Sequence, residues 1–292
     1  MSVVVTGASG HLGRLVAEEL LERLPASEVI LVTRHPEAIA DLAERGASVR
    51  RGDFDEPDSL VAAFEGATRM LLISTLAVGR RVEQHRAALD AATTAGIRHV
   101  AYTSFPKPVP AHPVGPIATE HGETEQLLHA SGLGWTVLRN GTYAELQVEP
   151  AAMAVAGGKL YTNAGDGRLV PVSRRDCARA AAAVLTSDGH LGKTYDITGP
   201  EALSQHDLAD VLSDISGRRV EVVPIGDRML SWGLARNGAP KPVARAVVSF
   251  GRAIREGYYD VVDPAAQTLT GVEPVTLRDV LVAHRGHLLA AA

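Results

Sequence analysis

The glycine pattern near the amino terminus restricts the fold more than any other feature of the sequence. Gly7, Gly10 and Gly13 lie in the segment TGASGHLG, between an apolar strand pattern, Ser2–Thr6, and a helical pattern, Leu12–Arg23. The first glycine permits a tight turn, the second lets the backbone approach a pyrophosphate, and the third lets the helix pack on the strand. The helix amino terminus attracts negative charge. The segment therefore predicts the first strand–turn–helix unit of a dinucleotide-binding domain, although its spacing is G-x-x-G-x-x-G rather than G-x-G-x-x-G.

Strand-length apolar runs alternate with helical patterns along the first half of the chain. The predicted strands are Ser2–Thr6, Glu28–Thr33, Ser48–Arg51, Met70–Ser74, His99–Ser104 and Trp135–Arg139. The predicted helices are Leu12–Arg23, Pro36–Arg45, Pro57–Phe64, Arg81–Ala95 and Ala118–Ala130. Such alternation with short connections is typical of right-handed crossovers in a parallel sheet. It predicts an α/β fold, a Rossmann-type doubly wound parallel sheet with a smaller C-terminal substrate lobe.

The alternation loosens beyond residue 140. We expect residues 1–140 to form the dinucleotide-binding Rossmann domain, with later strands near 157–200 returning to it. Residues 141–156 and 200–292 are expected to form the smaller substrate-binding lobe. The later predicted elements are a helix at Asp176–Thr186, a strand at Lys193–Thr198, a helix at Ser204–Ser216 and a strand at Arg219–Pro224.

Composition excludes several classes of protein. Of 292 residues, 46% are hydrophobic and 22% are charged, which is enough to bury a core. The net charge of −5 argues against a nucleic-acid or anionic-membrane surface, and no apolar run is long enough to span a membrane. The single cysteine, Cys177, fits a reducing compartment, and the histidines show no metal-binding spacing. These features predict a cytoplasmic protein without a metal site.

Polar and aromatic residues follow the predicted strands, on the side where open α/β sheets bind ligands. Arg34 stands where NAD-binding chains place an acid, so it favours a 2′-phosphate and NADPH over NADH, with a solvated surface arginine as the alternative. Asp53 and Phe54 follow the third strand, where an acid and a ring commonly meet an adenine. Ser74 and Thr75 end the fourth strand, and Thr103 and Ser104 end the fifth on the cofactor side, with Tyr102 packed within the sheet.

Six segments in order, TGASGHLG, VTRHPE, RRGDFDEPDSL, LLISTLAVG, HVAYTS and VLRNGTY, extend this pattern. Together they resemble the NmrA-like atypical short-chain dehydrogenase/reductases, and within that family the bacterial NADPH:quinone oxidoreductases (type 2) and the triphenylmethane reductases. The similarity runs from Val3 to about Pro224 and is weaker beyond. By this resemblance the cofactor contacts are Gly7, Ala8, Ser9, Gly10, His11, Leu12, Arg34, Ser74, Thr75, Leu76, Asn140, Gly141, Thr142, Tyr143, Ala144 and Glu145.

Two departures bear on catalysis. The larger superfamily uses a Tyr-x-x-x-Lys pair on the helix after the fifth strand, but this helix carries His121 and neither a tyrosine nor a lysine. His121 and Tyr143 are therefore the catalytic candidates, with a local hydrogen bond and simple packing as their respective alternatives. The second departure is a loop at Phe105–Pro116, which contains five prolines and is expected to overhang the nicotinamide pocket.

The resemblance implies an NADPH-dependent reductase that transfers a hydride directly to a quinone or a similar electrophilic acceptor. Two alternatives stay open: a non-catalytic NADP(H)-sensing regulator, and a reductase of dyes or other xenobiotics. The expected partner is a small quinone-like molecule, neither nucleic acid nor membrane, and a homodimer is a further expectation.

Overall fold

A computed structural model describes residues 1–290. Its strands are β1 (Val3–Thr6), β2 (Val29–Thr33), β3 (Ser48–Arg51), β4 (Arg69–Leu72), β5 (His99–Ser104), β6 (Gly134–Asn140), β7 (Lys159–Thr162), β8 (Lys193–Ile197) and β9 (Glu221–Pro224). Seven of them form one parallel sheet in the order β3-β2-β1-β4-β5-β6-β8. The chain reverses its direction of travel along the sheet between β3 and β4. This reversal confirms the doubly wound Rossmann-type fold and creates a crevice at the carboxyl ends of β1 and β4.

Helices cover both faces of this sheet. The helices of the described residues are α1 (His11–Leu21), α2 (Ala40–Glu44), α3 (Asp58–Phe64), α4 (Arg81–Thr94), α5 (Pro116–Ala130), α6 (Val148–Gly157), α7 (Arg174–Thr186), α8 (Gln205–Ser216), α9 (Asp227–Arg236), α10 (Lys241–Arg255), α11 (Ala265–Thr270), α12 (Leu277–Ala283) and α13 (Arg285–Ala290). Three short 3-10 turns lie at Ala26–Glu28, Pro36–Ile39 and Ala144–Gln147. No helix within residues 1–290 combines the length and the apolar character needed to cross a membrane.

Alternating strand residues divide the core between the two faces. Val3 and Val5 of β1 pack with α1 and α7 on one face, whereas Val4 packs with α3 and α4 on the other. All four residues of β1 are buried, as expected for a strand covered on both sides. The alanine-rich middle of α7 lets this helix lie close to α1. The six strands predicted for the first half of the chain are confirmed to within two residues at each end.

The later part of the chain forms a smaller unit beside the sheet. The strand β8 joins the main sheet next to β6, as expected, but β7 pairs with β9 in a separate two-stranded parallel sheet. Of the strands near 157–200 that were expected to return to the Rossmann sheet, β8 lies in that sheet and β7 does not. Residues of β7 alternate between exposed and buried, which suits a small surface sheet rather than a doubly covered one. The helices α6, α8, α12 and α13 enclose a core with this sheet; residues 291–292 of the expected lobe lie outside the described residues.

Candidate active site

The glycine turn after β1 is built around two close backbone approaches. Gly7 has a φ of 61°, which is strained for any residue with a side chain, and its carbonyl accepts a 2.9 Å hydrogen bond from the Gly10 amide. A Cβ on Gly13 would overlap the Gly7 carbonyl and lie 2.8 Å from the Cα of Ala8. Gly10 is the N-cap of α1 and offers no side-chain cap. The first amides of α1 therefore have no side-chain acceptor, as a phosphate-binding helix terminus requires.

Arg34 lies at the carboxyl end of β2, beside that turn. Its side chain is exposed, and within residues 1–290 it forms no ion pair or side-chain hydrogen bond. The preceding residue, Thr33, is held by a 2.7 Å hydrogen bond between its Oγ1 and the Oγ of Ser9. The link ties the end of β2 to the glycine turn, so Arg34 and the amino terminus of α1 belong to one surface.

Asp53 and Phe54 follow β3 in a tight turn. The Oγ of Ser59 accepts a 3.0 Å hydrogen bond from the Asp53 amide, and the Asp53 carboxylate accepts one from the Asp55 amide at 3.0 Å. The half-buried Phe54 ring meets His85 edge-on, with 6.3 Å between ring centroids. The sequence-predicted pair is thus placed at the carboxyl edge of the sheet, with Phe54 also packing on α4.

A buried histidine fixes the backbone after β4. The Thr75 amide donates to Nε2 of His85 at 3.2 Å, and Nδ1 of His85 meets the Thr124 hydroxyl at 3.0 Å. Because that hydroxyl donates its own proton to the Glu120 carbonyl, it accepts from His85, whose proton therefore sits on Nδ1. Burial, together with the nearby Arg81 charge, lowers the pKa of His85 to about 3. The imidazole stays neutral at neutral pH and holds one tautomer.

The loop after β4 has further support. Arg81 donates from Nε to the Thr75 carbonyl at 2.8 Å and forms a buried ion pair of 2.8 Å with Glu120 on α5. The Ser74 amide donates to Oγ1 of Thr103 on β5 at 2.9 Å. Leu76, at the tip, is 96% exposed. The sequence did not single out Arg81 or His85 as functional residues. Their position on the helix after β4 was the only signal that could have indicated them.

His121 on α5 faces the sheet rather than solvent. Its Nδ1 shares a 2.7 Å hydrogen bond with the buried Tyr102 hydroxyl, and its ring stacks on Phe105 with 5.6 Å between centroids. Burial and the Arg81 charge lower the pKa of His121 well below its ordinary value, and burial raises the pKa of Tyr102. Tyr102 packs in the sheet as expected, and it also orients His121, which the sequence did not indicate.

A second polar group lies one turn further along α5. Glu125 accepts hydrogen bonds from the Ser104 hydroxyl at 2.6 Å and from Arg139 on β6 at 3.0 and 2.7 Å. The bidentate pair with Arg139 raises the pKa of the guanidinium and keeps Glu125 matched by a positive charge. The Ser104 side chain is therefore held toward Glu125 at the carboxyl end of β5.

Contacts with α7 and β8 hold the segment that follows β6. Asn140 donates from Nδ2 to the Tyr143 hydroxyl at 3.3 Å, and the Arg174 guanidinium lies 4.8 Å above the Tyr143 ring. Glu145 accepts a 3.0 Å hydrogen bond from the Arg174 amide at the start of α7. Burial raises the pKa of Tyr143. Gly141 passes close to β8, where its amide donates to the Ile197 carbonyl at 2.8 Å.

The sequence-predicted residues thus lie along one edge of the sheet, where the strands β3, β2, β1, β4, β5 and β6 end. Their role in binding a cofactor stays a prediction. The polar groups present fit a dinucleotide: besides the glycine turn and Arg34, the buried Thr75 Oγ1 and Asn140 Oδ1 have no hydrogen-bond partner within residues 1–290. Such buried orphan atoms are uncommon and favour a ligand that supplies the missing partners.

Two other features stand apart from this edge. Cys177 is buried in α7, where burial and neighbouring carboxylates raise the pKa of its thiol well above the ordinary value, so it is not an activated nucleophile. Three or more histidine, cysteine or carboxylate groups do not cluster as metal ligands anywhere in residues 1–290.

The fold and this edge together define a dinucleotide-binding α/β protein, and comparison with known proteins specifies it further. Residues 7–188 match the family model described as NAD(P)H-binding, and the chain belongs to that family. The chain is 37% identical to quinone oxidoreductase 2 of Escherichia coli over 242 residues, which are 83% of this chain and 84% of the relative. These findings confirm the NmrA-like resemblance and make the chain a relative of NAD(P)H-dependent oxidoreductases.

Two solved structures share the whole architecture. One is an NADPH-dependent quinone oxidoreductase from Escherichia coli in complex with NADPH, with a TM-score of 0.92 and 34% identity, covering 97% of this chain and 99% of that one. The other is the triphenylmethane reductase of a Citrobacter species in complex with NADP(H), with a TM-score of 0.88 and 33% identity, covering 96% and 99%.

Proposed function

We propose that this protein is an NADPH-dependent reductase that transfers a hydride directly to a quinone or a similarly electrophilic acceptor. The observation that carries the proposal is the state of His121, which occupies the helix where the superfamily places its acid–base pair. His121 is buried, bonded to Tyr102, and neutral at neutral pH because its pKa is well below the ordinary value. A group in that state is a poor proton donor, so the site favours acceptors that need none. The similarity of the chain to quinone oxidoreductase 2 and to triphenylmethane reductase supports the proposed type of acceptor.

The chemistry of a quinone suits such a site. NADPH, when bound, supplies a hydride, and a quinone that accepts it becomes a hydroquinone anion, which then takes one proton from water. The anion is a delocalised phenolate whose conjugate acid has a pKa near 10, close to that of tyrosine. No strong acid is needed, and orientation alone can lower a barrier by about 7–11 kcal/mol.

The residues of the chain would then act by binding and orientation. The Gly7–Leu12 turn would hold the pyrophosphate and Arg34 the 2′-phosphate. The unpartnered oxygens of Thr75 and Asn140 would form hydrogen bonds with the cofactor. The backbone at Thr75 is held by His85, and the backbone next to Asn140 is held by β8. Phe105 and His121 would wall the acceptor site beside the end of β5.

Anaerobic NADPH oxidation, followed at 340 nm against a panel of quinones and cationic triphenylmethane dyes, tests the proposal. We expect turnover with quinones. NADPH that binds but is not oxidised by any acceptor would reject the reductase and favour the NADP(H)-sensing alternative. Turnover with dyes alone would favour the dye-reductase alternative, which the Citrobacter structure also supports. A cytoplasmic location and a homodimer stay predictions, and sedimentation equilibrium tests the latter.

A further inference from the structure

Two buried hydrogen-bond donors in the proline-rich loop region have no acceptor. Nε2 of His112 and the hydroxyl of Tyr259 form no hydrogen bond within residues 1–290, although the two residues are only 2% and 5% exposed. Their rings are neighbours, with 5.6 Å between centroids. An unsatisfied buried donor costs stability, so this cluster is a place where an added hydrogen-bond acceptor would be favourable.

The hydrogen bonds of His112 fix which nitrogen carries its proton. The Val114 amide donates to Nδ1 of His112 at 3.3 Å, so Nδ1 is an acceptor and the proton lies on Nε2. Burial and the Lys107 charge lower the pKa of His112 to about 4, and burial raises the pKa of Tyr259. Both groups are therefore neutral at neutral pH, and each has a hydrogen to donate.

The pair lies next to the proposed acceptor site. Phe105, the first residue after β5, stacks on His121 and meets the rings of His112 and Tyr259 edge-on at 5.4 and 6.0 Å. The Phe105 ring thus lies between the two donors and His121, the residue on the helix that carries the acid–base pair in the larger superfamily. The Tyr259 backbone is held in place because its carbonyl accepts a 2.9 Å hydrogen bond from the Val170 amide.

The proline-rich loop is clamped in this position. Lys107 donates to the Gly257 carbonyl and forms an ion pair of 3.2 Å with Asp260. The Tyr258 ring packs on His112 with 4.3 Å between centroids. The loop is therefore docked on the 257–260 segment, and this docking brings His112 beside Tyr259.

We propose that His112 Nε2–H and the Tyr259 hydroxyl bind a carbonyl oxygen of the acceptor, and that they are specificity-determining residues for oxygen-bearing acceptors. This inference rests on the proposed function. Negative charge collects on that oxygen as the hydride arrives, and two fixed neutral donors stabilise it without transferring a proton. The proton that completes the hydroquinone comes from water, as above.

The test compares acceptors with and without a carbonyl oxygen. In Tyr259→Phe and His112→Leu, we expect kcat/KM for 1,4-naphthoquinone to fall about 10- to 100-fold. The rate with crystal violet, a triphenylmethane cation that has no carbonyl oxygen, is expected to change less than about threefold, and so is the Kd for NADPH. His112→Gln, whose amide nitrogen can take the place of Nε2, is expected to recover most of the quinone rate.

A matched control is Tyr161→Phe, which removes the hydroxyl of a tyrosine that is 54% exposed on β7 and is expected to leave both rates unchanged. Binding gives a second measurement that needs no turnover. On the NADP⁺-loaded protein, the preference for 1,4-naphthoquinone over naphthalene is expected to fall about tenfold in Tyr259→Phe.

Failures of the two proposals are distinguishable. A wild-type protein that reduces no quinone rejects the proposed function, and this inference with it. A wild-type protein that reduces quinones while the variants keep its rate and its naphthoquinone preference rejects the inference alone. Equal losses with quinone and dye, or equal losses of affinity for naphthoquinone and naphthalene, would reveal a structural role. Weaker NADPH binding in the variants would assign the donors to the cofactor, which also overturns the inference.

Discussion

Arg34 is exposed, has no ion-pair partner within the described chain, and lies next to Thr33, which is hydrogen-bonded to Ser9 of the glycine turn. We expect Arg34→Ala to weaken NADPH binding by about tenfold to two-hundredfold and to leave NADH binding almost unchanged, because a charge-assisted contact contributes roughly 1.5–3 kcal/mol. Calorimetric titration of both cofactors measures this. Arg86→Ala, at an exposed arginine of α4, is the matched control. Equal losses for both cofactors would make Arg34 structural.

His121 and Tyr143 remain the side chains that most resemble catalytic groups, yet each is engaged elsewhere. His121 is bonded to Tyr102, and Tyr143 lies between Asn140 and Arg174. We therefore expect His121→Ala and Tyr143→Phe each to lower kcat for quinone by less than about 100-fold, the lower limit for a true acid–base residue. A loss of about 1,000-fold in His121→Ala, with NADPH affinity intact in a fluorescence titration, would make His121 a real acid.

At the scale of elements, Gly13 and Gly10 in the turn between β1 and α1 are expected to have different roles, one in folding and one in cofactor binding. A Cβ on Gly13 meets backbone of the turn, so Gly13→Ala is expected to destabilise the fold by about 1–3 kcal/mol in urea unfolding. The nearest atom to a Cβ on Gly10 is the Gly7 carbonyl at 3.2 Å, and Gly10 has an extended backbone that other residues adopt. Gly10→Val is therefore expected to fold and to lose NADPH binding. Normal NADPH binding by the Gly10→Val protein would show that the pyrophosphate does not bind at this turn.

The contact between β4, α4 and α5 depends on one imidazole. His85→Leu leaves the Thr75 amide without its acceptor and the Thr124 hydroxyl without its donor. We expect a loss of about 1–3 kcal/mol in the free energy of unfolding and a higher Kd for NADPH, since the loop after β4 loses its support. Urea titration and calorimetry measure the two effects. His206→Leu, at an exposed histidine of α8, is the control, and an unchanged Kd in His85→Leu would remove this loop from the cofactor site.

For the whole molecule, buried histidines make stability depend on pH. Burial lowers the pKa of His85 to about 3, and that of His99 and His112 to about 4, from an ordinary 6.5. Below pH 6.5 these histidines are protonated in the unfolded chain but stay neutral in the native state. The free energy of unfolding is therefore expected to fall as the pH falls from 7 to 5, by roughly 1 kcal/mol per histidine per pH unit.

Urea titrations at pH 7 and pH 5 check this expectation. His99 meets the Thr136 hydroxyl at 2.8 Å, and a glutamine amide can replace that hydrogen bond. His121 is a fourth buried histidine whose pKa is lowered well below the ordinary value. His99→Gln is therefore expected to reduce the pH dependence by about a quarter. A free energy of unfolding that is equal or higher at pH 5 would contradict the argument.

Local chemistry was enough to predict the Rossmann sheet and to place most of the candidate cofactor residues at one edge of it. The strand β1, the glycine turn and α1 are encoded within a few residues of one another, and strands that alternate regularly with helices favour a parallel sheet. Because the carboxyl ends of parallel strands share one edge, residues such as Arg34, Thr75 and Asn140 could be assigned to one surface before any contact was known.

Only the tertiary structure decided what depends on contacts between distant segments. The pairing of β7 with β9, the bond between Tyr102 and His121, and the Ser104–Glu125–Arg139 group join residues far apart in the chain, and no local pattern encodes them. The same holds for the two orphan donors. A histidine in a proline-rich loop and a tyrosine near residue 260 become neighbours only because the loop docks on the segment that carries the tyrosine.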